Sequence, residues 1–224
     1  MYNERPNSEK VLMNLYQSPI HSEITSYPAI DWELLAKASA FYKSKGLTYK
    51  ETPWTAPIAV HEFTKPHQNP SFIHDLALPQ GNELCELVGS AEQGFIYLML
   101  NNELKDGKYY SITPCFRFDN YDKTHQPWFM KAELMHLQKN CTQEQALQNA
   151  MHLLDLAWEF LTTLAPNGSF EKMQTSHVSW DINLNGIEIG SYGVRNVQNI
   201  VFAYGTGLAL PRFSIAERTE LPTL

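Results

Sequence analysis

Residues 112–134, ITPCFRFDNYDKTHQPWFMKAEL, contain the pattern on which the fold prediction depends. Apolar residues dominate 109–118, polar residues fill 119–126, and a second mainly apolar run extends from 127 to 137. This order predicts two strands joined by a long polar loop. Arg117 lies at the end of the first strand, where a guanidinium held on a rigid backbone suits bidentate phosphate binding. The alternative is an ion pair with a neighbouring surface carboxylate.

A second informative stretch is YGTGLALPRF, residues 204–213, which predicts a glycine-interrupted strand followed by a short helix. Arg212 lies where this strand turns into the helix, and the same two interpretations apply to it as to Arg117. Gly205 and Gly207 are two residues apart and therefore share one face of the strand. Their missing side chains leave room either for a ligand or for tight packing against the long helix.

The segment 177–191 predicts a hairpin, because HVSWDINL and IEIGS flank the turn pair Asn185-Gly186. Asp181 and Glu188 lie on its two strands and come close across them. Two converging carboxylates near phosphate-binding cations suit Mg²⁺. The alternative is a solvated polar face.

Helices are predicted around these strands. Asp31 caps a helix that runs to about Lys45, and another follows Ser90 and runs to about Asn101. Thr142 and Gln145 form a capping box that opens the best-supported helix, residues 142–164. The element order predicts an α+β fold: a mixed, mainly antiparallel sheet of six or seven strands flanked by helices.

Composition limits the function classes. The chain has 224 residues and a formal net charge of −7, which argues against non-specific binding to nucleic-acid phosphates. Its three cysteines, Cys85, Cys115 and Cys141, have no CxxC spacing, so a disulfide framework is not expected. The polar start is unlike a signal peptide, and no apolar run reaches the length of a membrane span. We therefore expect one cytoplasmic domain over 1–224, with residues 1–25 forming an N-terminal arm.

Taken in order, these segments resemble the catalytic domain of class II aminoacyl-tRNA synthetases, from about residue 32 to residue 217. Residues 38–53, ASAFYKSKGLTYKETP, resemble motif 1, which ends in the proline typical of the family. Residues 112–134 resemble motif 2, with a loop most similar to that of phenylalanyl enzymes, and residues 204–213 resemble motif 3. Residues 181–195 are similar to the segment before motif 3 in aspartyl-type enzymes, and 88–93, VGSAEQ, resembles the loop that recognises the amino group.

The resemblance implies a role for each candidate residue. Arg117 and Arg212 are the expected catalytic residues, on the α- and γ-phosphates of a bent ATP, and Phe129 stacks on adenine. Other nucleotide contacts are expected at Asp119, His125 and Gly207. The substrate contacts implied are Glu92, Glu133, Ser191 and Arg195, and the Mg²⁺ ligands are Asp181 and Glu188.

The role of Arg195 stays open at this stage. It suits a second substrate carboxylate, which favours aspartate, or a structural salt bridge.

The resemblance further implies ATP- and Mg²⁺-dependent formation of an acyl-adenylate from an amino acid or related acid, and a homodimer formed through motif 1. Two departures stand out: Asp119 replaces the usual Glu, and Pro211 replaces an acidic residue. No anticodon-binding domain is expected before residue 32 or after motif 3. A non-tRNA acceptor, such as a small nucleophile, a carrier protein or a protein side chain, is therefore expected. The alternative is a non-catalytic paralogue that senses a nucleotide or amino acid, or regulates a partner.

Overall fold

The computed structural model describes residues 29–64, 78–80, 83–117 and 124–220. The predicted arm and Asp119 lie outside these ranges. The helices are α1 Trp32–Ser44, α2 Ile58–His61, α3 Ala91–Leu100, α4 Gln143–Leu164 and α5 Arg212–Arg218. The strands are β1 Thr48–Tyr49, β2 Thr55–Pro57, β3 Leu78–Gln80, β4 Glu83–Leu87, β5 Gly107–Phe116, β6 Trp128–Leu137, β7 Phe170–Ser176, β8 Ser179–Leu184, β9 Ile187–Val197 and β10 Ile200–Leu210.

A seven-stranded sheet forms the centre of the fold, in the order β1-β5-β6-β10-β9-β8-β7. Among the described strands of this sheet, only β1 and β5 pair in parallel, and the other neighbours are antiparallel. A smaller antiparallel sheet has the order β2-β4-β3. The predicted α+β fold with a mainly antiparallel sheet flanked by helices is thus confirmed.

Helices cover both faces of the large sheet. On one face, α1 and α4 contribute Tyr42 and Phe160 to a core that includes Leu134 of β6. On the other face, α3 contributes Phe95 to a second cluster with Met135 of β6. Successive residues of β6 therefore enter opposite cores, as the twofold period of a strand requires.

Local sequence accounts for several element boundaries. Ser90 caps α3, and Asn185 and Gly186 both have positive φ, 50° and 81°, as a type I′ turn requires. Residues 47–52, LTYKET, are expected from the sequence to form a strand that ends at Pro53, but only Thr48–Tyr49 pair with β5. Pro53 has no N–H to donate to a ladder, and the chain turns there toward the small sheet.

Two further segments differ from the prediction. Residues 54–80 contain four prolines, a pattern that predicts an irregular chain, but their described parts form β2, α2 and β3. Strand β7 was not predicted, because its side chains are nearly all exposed and show no apolar alternation. Within the described residues, no helix is long and apolar enough to cross a membrane.

The capping box of α4 allows a test of local stability. Thr142 accepts a hydrogen bond from the Gln145 amide at 3.2 Å, and the Gln145 side chain accepts one from the Thr142 amide at 2.8 Å. Thr142→Ala is expected to lower the free energy of unfolding by about 1 kcal/mol. Denaturant melts of this variant and of a control at the exposed position Gln148 measure the effect. Equal midpoints for Thr142→Ala and the parent would contradict it.

Candidate active site

The candidate site lies on the α3 side of the large sheet. On β6, the alternating positions Phe129, Lys131 and Glu133 face this side, while Met130 and Leu134 belong to the opposite core. The register places Phe129 opposite Cys115 and Glu133 opposite Ser111. The strand period thus brings an aromatic ring, a cation and a carboxylate onto one surface.

Two cavities open on this surface and adjoin. The larger, of about 220 Å³, is lined by side chains that include Glu92, Glu133 and Arg195. The smaller, of about 110 Å³, is lined by side chains that include His125, Phe129 and Arg212. Arg117, Lys131 and Ser191 line both. A ligand in one cavity therefore lies directly beside a ligand in the other, with two cations at the junction.

Arg117 is held at that junction by its surroundings. Its Nε donates to the Gly89 carbonyl oxygen at 2.9 Å, and its guanidinium carbon lies 5.2 Å from the centre of the Phe129 ring. Its backbone amide donates to the Pro127 carbonyl oxygen at 3.1 Å. These contacts orient a charged, planar donor group between the two cavities.

Glu133 is a buried carboxylate, 1% exposed, with two partners. The Lys131 ammonium lies 3.0 Å from Oε1 and 2.9 Å from Oε2, and the Ser90 hydroxyl donates to Oε2. Burial raises the pKa of Glu133, whereas Lys131 lowers it. Ser90 also caps α3, so one hydroxyl connects the start of that helix to the site.

Arg195 forms a salt bridge with Glu92. Its Nε lies 2.5 Å from Oε1, its Nη2 lies 3.2 Å from Oε2, and its Nη1 donates to the Phe63 carbonyl oxygen at 3.0 Å. Its guanidinium carbon also lies 4.9 Å from the centre of the Tyr204 ring. Of the two interpretations of Arg195, the structure shows the salt bridge. A contact with a substrate carboxylate stays a prediction.

Glu188 and Arg212 line the smaller cavity, and Asp181 lies on the strand beside it. Arg212 Nη1 is 3.8 Å from a Glu188 oxygen, and its Nε donates to the Thr124 carbonyl oxygen at 3.2 Å. Asp181 lies opposite Ser191 in the β8–β9 register. Burial raises the pKa of Asp181, a hydrogen bond with Ser191 lowers it, and the charge of Glu188 raises it. Within the described residues, no three His, Cys, Asp or Glu side chains form a cluster that could bind a metal ion without other ligands.

Gly207 lines neither cavity, and its predicted contact with the nucleotide stays a prediction. A Cβ there would lie 2.7 Å from the Tyr42 ring of α1, and the Tyr42 hydroxyl donates to the Gly207 carbonyl oxygen at 2.8 Å. At Gly205 a Cβ would lie 2.4 Å from the Tyr192 ring. Both glycines therefore serve core packing, against α1 and β9 rather than α4. Ala209 is the small residue of β10 that lines the smaller cavity.

Several residues that line the cavities are not among those predicted from the sequence. The twofold period of a strand is sufficient to predict Lys131 as a site residue, because it lies between Phe129 and Glu133 on the same strand face. Tyr204 and His61 carry no such signal: each reaches the larger cavity through the tertiary fold. His61 lies 4.0 Å from Glu86 on the neighbouring strand of the small sheet.

Comparison with known proteins agrees with this architecture. The family model described as "tRNA synthetases class II core domain (F)" matches residues 65–212. The fold is similar to a pyrrolysyl-tRNA synthetase of Desulfitobacterium hafniense, with a TM-score of 0.64 and 18% identity over 92% of this chain and 71% of that one. No curated protein matches the sequence significantly.

Two seryl enzymes are also similar in fold. One is the seryl-tRNA synthetase of Pyrococcus horikoshii solved with ATP, with a TM-score of 0.66, 16% identity, and 96% and 59% of the two chains covered. The other is the cytoplasmic serine-tRNA ligase of Naegleria fowleri solved with AMP. Its TM-score is 0.65 and its identity is 14%, over 85% of this chain and 48% of that one. This chain thus spans about half to seven-tenths of the length of these relatives.

Proposed function

Since this chain belongs to the family of class II tRNA synthetase core domains, we propose that it activates an amino acid, or a related carboxylic acid, with ATP. The products are an acyl-adenylate and pyrophosphate. The observation that carries the proposal is the pair of adjoining cavities with Arg117 at their junction. An acid in the larger cavity and a nucleotide in the smaller one meet there.

In the proposed reaction, a carboxylate oxygen of the acid attacks the α-phosphorus of ATP in line with the leaving group. A bond forms between these atoms, the bond from the α-phosphorus to the bridging oxygen breaks, and pyrophosphate leaves. This chemistry depends on positioning and on stabilising charge rather than on a protein nucleophile. Arg117 would donate to the α-phosphate, where negative charge develops in the transition state.

The smaller cavity offers suitable contacts for the nucleotide. Phe129 provides a ring on which adenine stacks, and Arg212 offers a guanidinium for the γ-phosphate. His125 in the motif 2 loop lines the same cavity, and a pyrophosphate contact is proposed for it. Asp119 remains a proposed nucleotide contact from the family resemblance alone. The two seryl relatives were solved with ATP and AMP, which is consistent with nucleotide binding.

Asp181 and Glu188 fit a Mg²⁺ site completed by phosphates. Mg²⁺ commonly takes one or two protein carboxylates together with phosphate oxygens and water. The two residues lie on neighbouring strands. Burial is the main cause of the raised pKa of Asp181 and the charge of Glu188 adds to it, and a cation between the two carboxylates would relieve both effects. Bound Mg²⁺ would offset the negative charge of the polyphosphate.

The larger cavity offers contacts for the acid. Glu92 and Glu133 are proposed to receive the substrate ammonium group, because each carboxylate lines this cavity. Ser191 lines both cavities and is proposed as a contact near the reacting carboxylate.

A non-tRNA acceptor is proposed for the activated group. Phosphate contacts normally use Lys or Arg, and the chain has 17 of these against 24 acidic residues. Arg117 and Arg212 already serve ATP in this proposal. A small nucleophile, a carrier protein or a protein side chain fits this charge balance better than tRNA.

One sequence feature favours a second candidate function. Pro211 takes the place of an acidic residue that usually precedes the motif 3 arginine, and it lines the nucleotide cavity. A non-catalytic paralogue that senses a nucleotide or an amino acid would retain binding without turnover.

Pyrophosphate exchange across the twenty amino acids, with and without Mg²⁺, tests the proposal. We expect Mg²⁺-dependent exchange with at least one acid, and mass spectrometry should detect its adenylate. Binding of ATP without exchange for any acid would favour the sensor. Saturable aminoacylation of tRNA by this chain would refute the non-tRNA acceptor.

A homodimer through motif 1 is also proposed. Trp32, Tyr49 and Trp54 are 65%, 50% and 56% exposed, and they line one concave, largely apolar surface with Ile112 and Pro114. Exposed aromatic clusters of this kind mark protein interfaces.

Trp54→Glu is expected to weaken self-association by roughly 30-fold, the scale for an interfacial tryptophan. Sedimentation equilibrium of this variant and of Met173→Glu measures the effect. Met173 is exposed on β7, away from this surface, and serves as the control. A parent protein that is monomeric at micromolar concentration would contradict the dimer.

A further inference from the structure

We infer that the acid activated by this protein has an uncharged side chain. The inference rests on the proposed function, because it takes the 220 Å³ cavity as the amino-acid site. It depends on how the charged groups in the described wall of that cavity are already paired.

The first pair is Arg195 and Glu92. Both carboxylate oxygens of Glu92 lie within 3.2 Å of Arg195 nitrogens, and the third guanidinium nitrogen donates to a backbone carbonyl. The face of the guanidinium packs on Tyr204. A carboxylate accepts up to about four hydrogen bonds, so Glu92 can bind Arg195 and the substrate ammonium group together. With the ammonium group bound, neither charge of this pair is left for an ionised substrate side chain.

The second pair is Lys131 and Glu133, whose ammonium nitrogen lies about equally far from both carboxylate oxygens. His61 and Glu86 bring together a further base and acid. Arg117 is at the junction with the nucleotide cavity, where the reacting carboxylate and the α-phosphate require it. In the described wall, each cation is thus matched by a carboxylate or assigned to the reaction.

A charged substrate side chain would therefore lose water without gaining a partner of opposite charge. It could gain one only by breaking an existing pair, which leaves another charge buried and uncompensated. The same wall accepts a neutral side chain at no such cost. We expect discrimination of at least about 100-fold between an uncharged side chain and a charged one of the same shape.

Tyr204 supports the same conclusion. Burial raises the pKa of its phenol to about 12, so the group stays neutral at physiological pH. Its hydroxyl lies over Gly193, where a Cβ would approach it to 2.9 Å. A neutral hydroxyl at the cavity wall suits an alcohol or an amide of the substrate.

Calorimetric binding of matched amino acids tests the inference. Asparagine and aspartate, glutamine and glutamate, and methionine and lysine differ in charge with little change in shape. We expect the tightest ligand of the six to be uncharged and to bind at least about 100-fold more tightly than its charged counterpart. The inference is overturned if a charged amino acid is the tightest ligand, or if none of the six binds.

Two variants shift the charge of the wall in opposite directions. Glu92→Gln leaves the Arg195 cation uncompensated. It should raise the affinity for aspartate relative to asparagine at least tenfold. Arg195→Gln leaves the Glu92 carboxylate uncompensated. It should raise the affinity for lysine relative to methionine. Glu171→Gln, at an exposed position on β7, is the control. Unchanged ratios in both variants would show that this pair does not set the preference.

Pyrophosphate exchange on the same ligands separates this inference from the proposed function. A neutral amino acid that binds tightly without exchange contradicts activation and leaves the charge preference standing. Efficient exchange with a charged acid confirms activation and refutes the inference.

Discussion

Replacement of Arg117 by alanine is expected to slow adenylate formation by about 10²–10³-fold, the scale for removing one preorganised contact to a developing charge. The physical reason is the position of the guanidinium at the junction of the two cavities, fixed by the Gly89 carbonyl and the Phe129 ring. Arg117→Lys should recover only part of the rate, because an ammonium keeps the charge but loses the planar fork.

Pyrophosphate exchange under saturating ATP measures this loss, and Arg218→Ala is the matched control. Arg218 lies at the end of α5 and lines neither cavity. Thermal melts of both variants exclude a folding defect as the cause. A folded Arg117→Ala protein with the rate of the parent would refute the proposed role.

Replacement of Gly205 by alanine is expected to cost about 3 kcal/mol of stability, the upper part of the range for overpacking a core. The added Cβ would lie 2.4 Å from a ring carbon of Tyr192. That ring is fully buried, and its hydroxyl donates to the Thr206 carbonyl oxygen at 2.5 Å, so it cannot move without losing this bond.

Urea unfolding of Gly205→Ala beside Gly186→Asn tests the packing argument. Gly186 has open space around it but a positive φ of 81°, so asparagine there is strained by the backbone alone and should cost about 1 kcal/mol, less than overpacking at Gly205. If Gly205→Ala keeps the stability of the parent but loses ATP binding, the glycine serves the nucleotide rather than the core.

Patterns within single elements were sufficient to predict much of the fold. The capping box at Thr142 and the apolar stripe of α4 lie within one helix, and the β8–β9 hairpin is determined by Asn185-Gly186. Strand β7 was missed because an exposed edge strand has no buried face and hence no alternation. Segment 54–80 was missed because prolines there suggested an irregular chain.

The site was less accessible to sequence reasoning, for two reasons. The Glu92–Arg195 salt bridge joins residues 103 positions apart, so only the tertiary structure shows that this arginine is paired. Gly205 and Gly207 do share a face, as their spacing indicates. Spacing alone cannot tell which face meets the helices, and the ladder between β10 and β6 shifts register between Thr206 and Leu208.

The double role of Ser90 connects ligand occupancy to local unfolding. Its hydroxyl accepts a hydrogen bond from the Glu92 amide in the first turn of α3 and donates one to Glu133 in the cavity. A ligand that orders Glu133 therefore also lowers the frequency with which this turn opens. Slower hydrogen exchange at the Glu92 amide would report an occupied cavity, even for a ligand that undergoes no reaction.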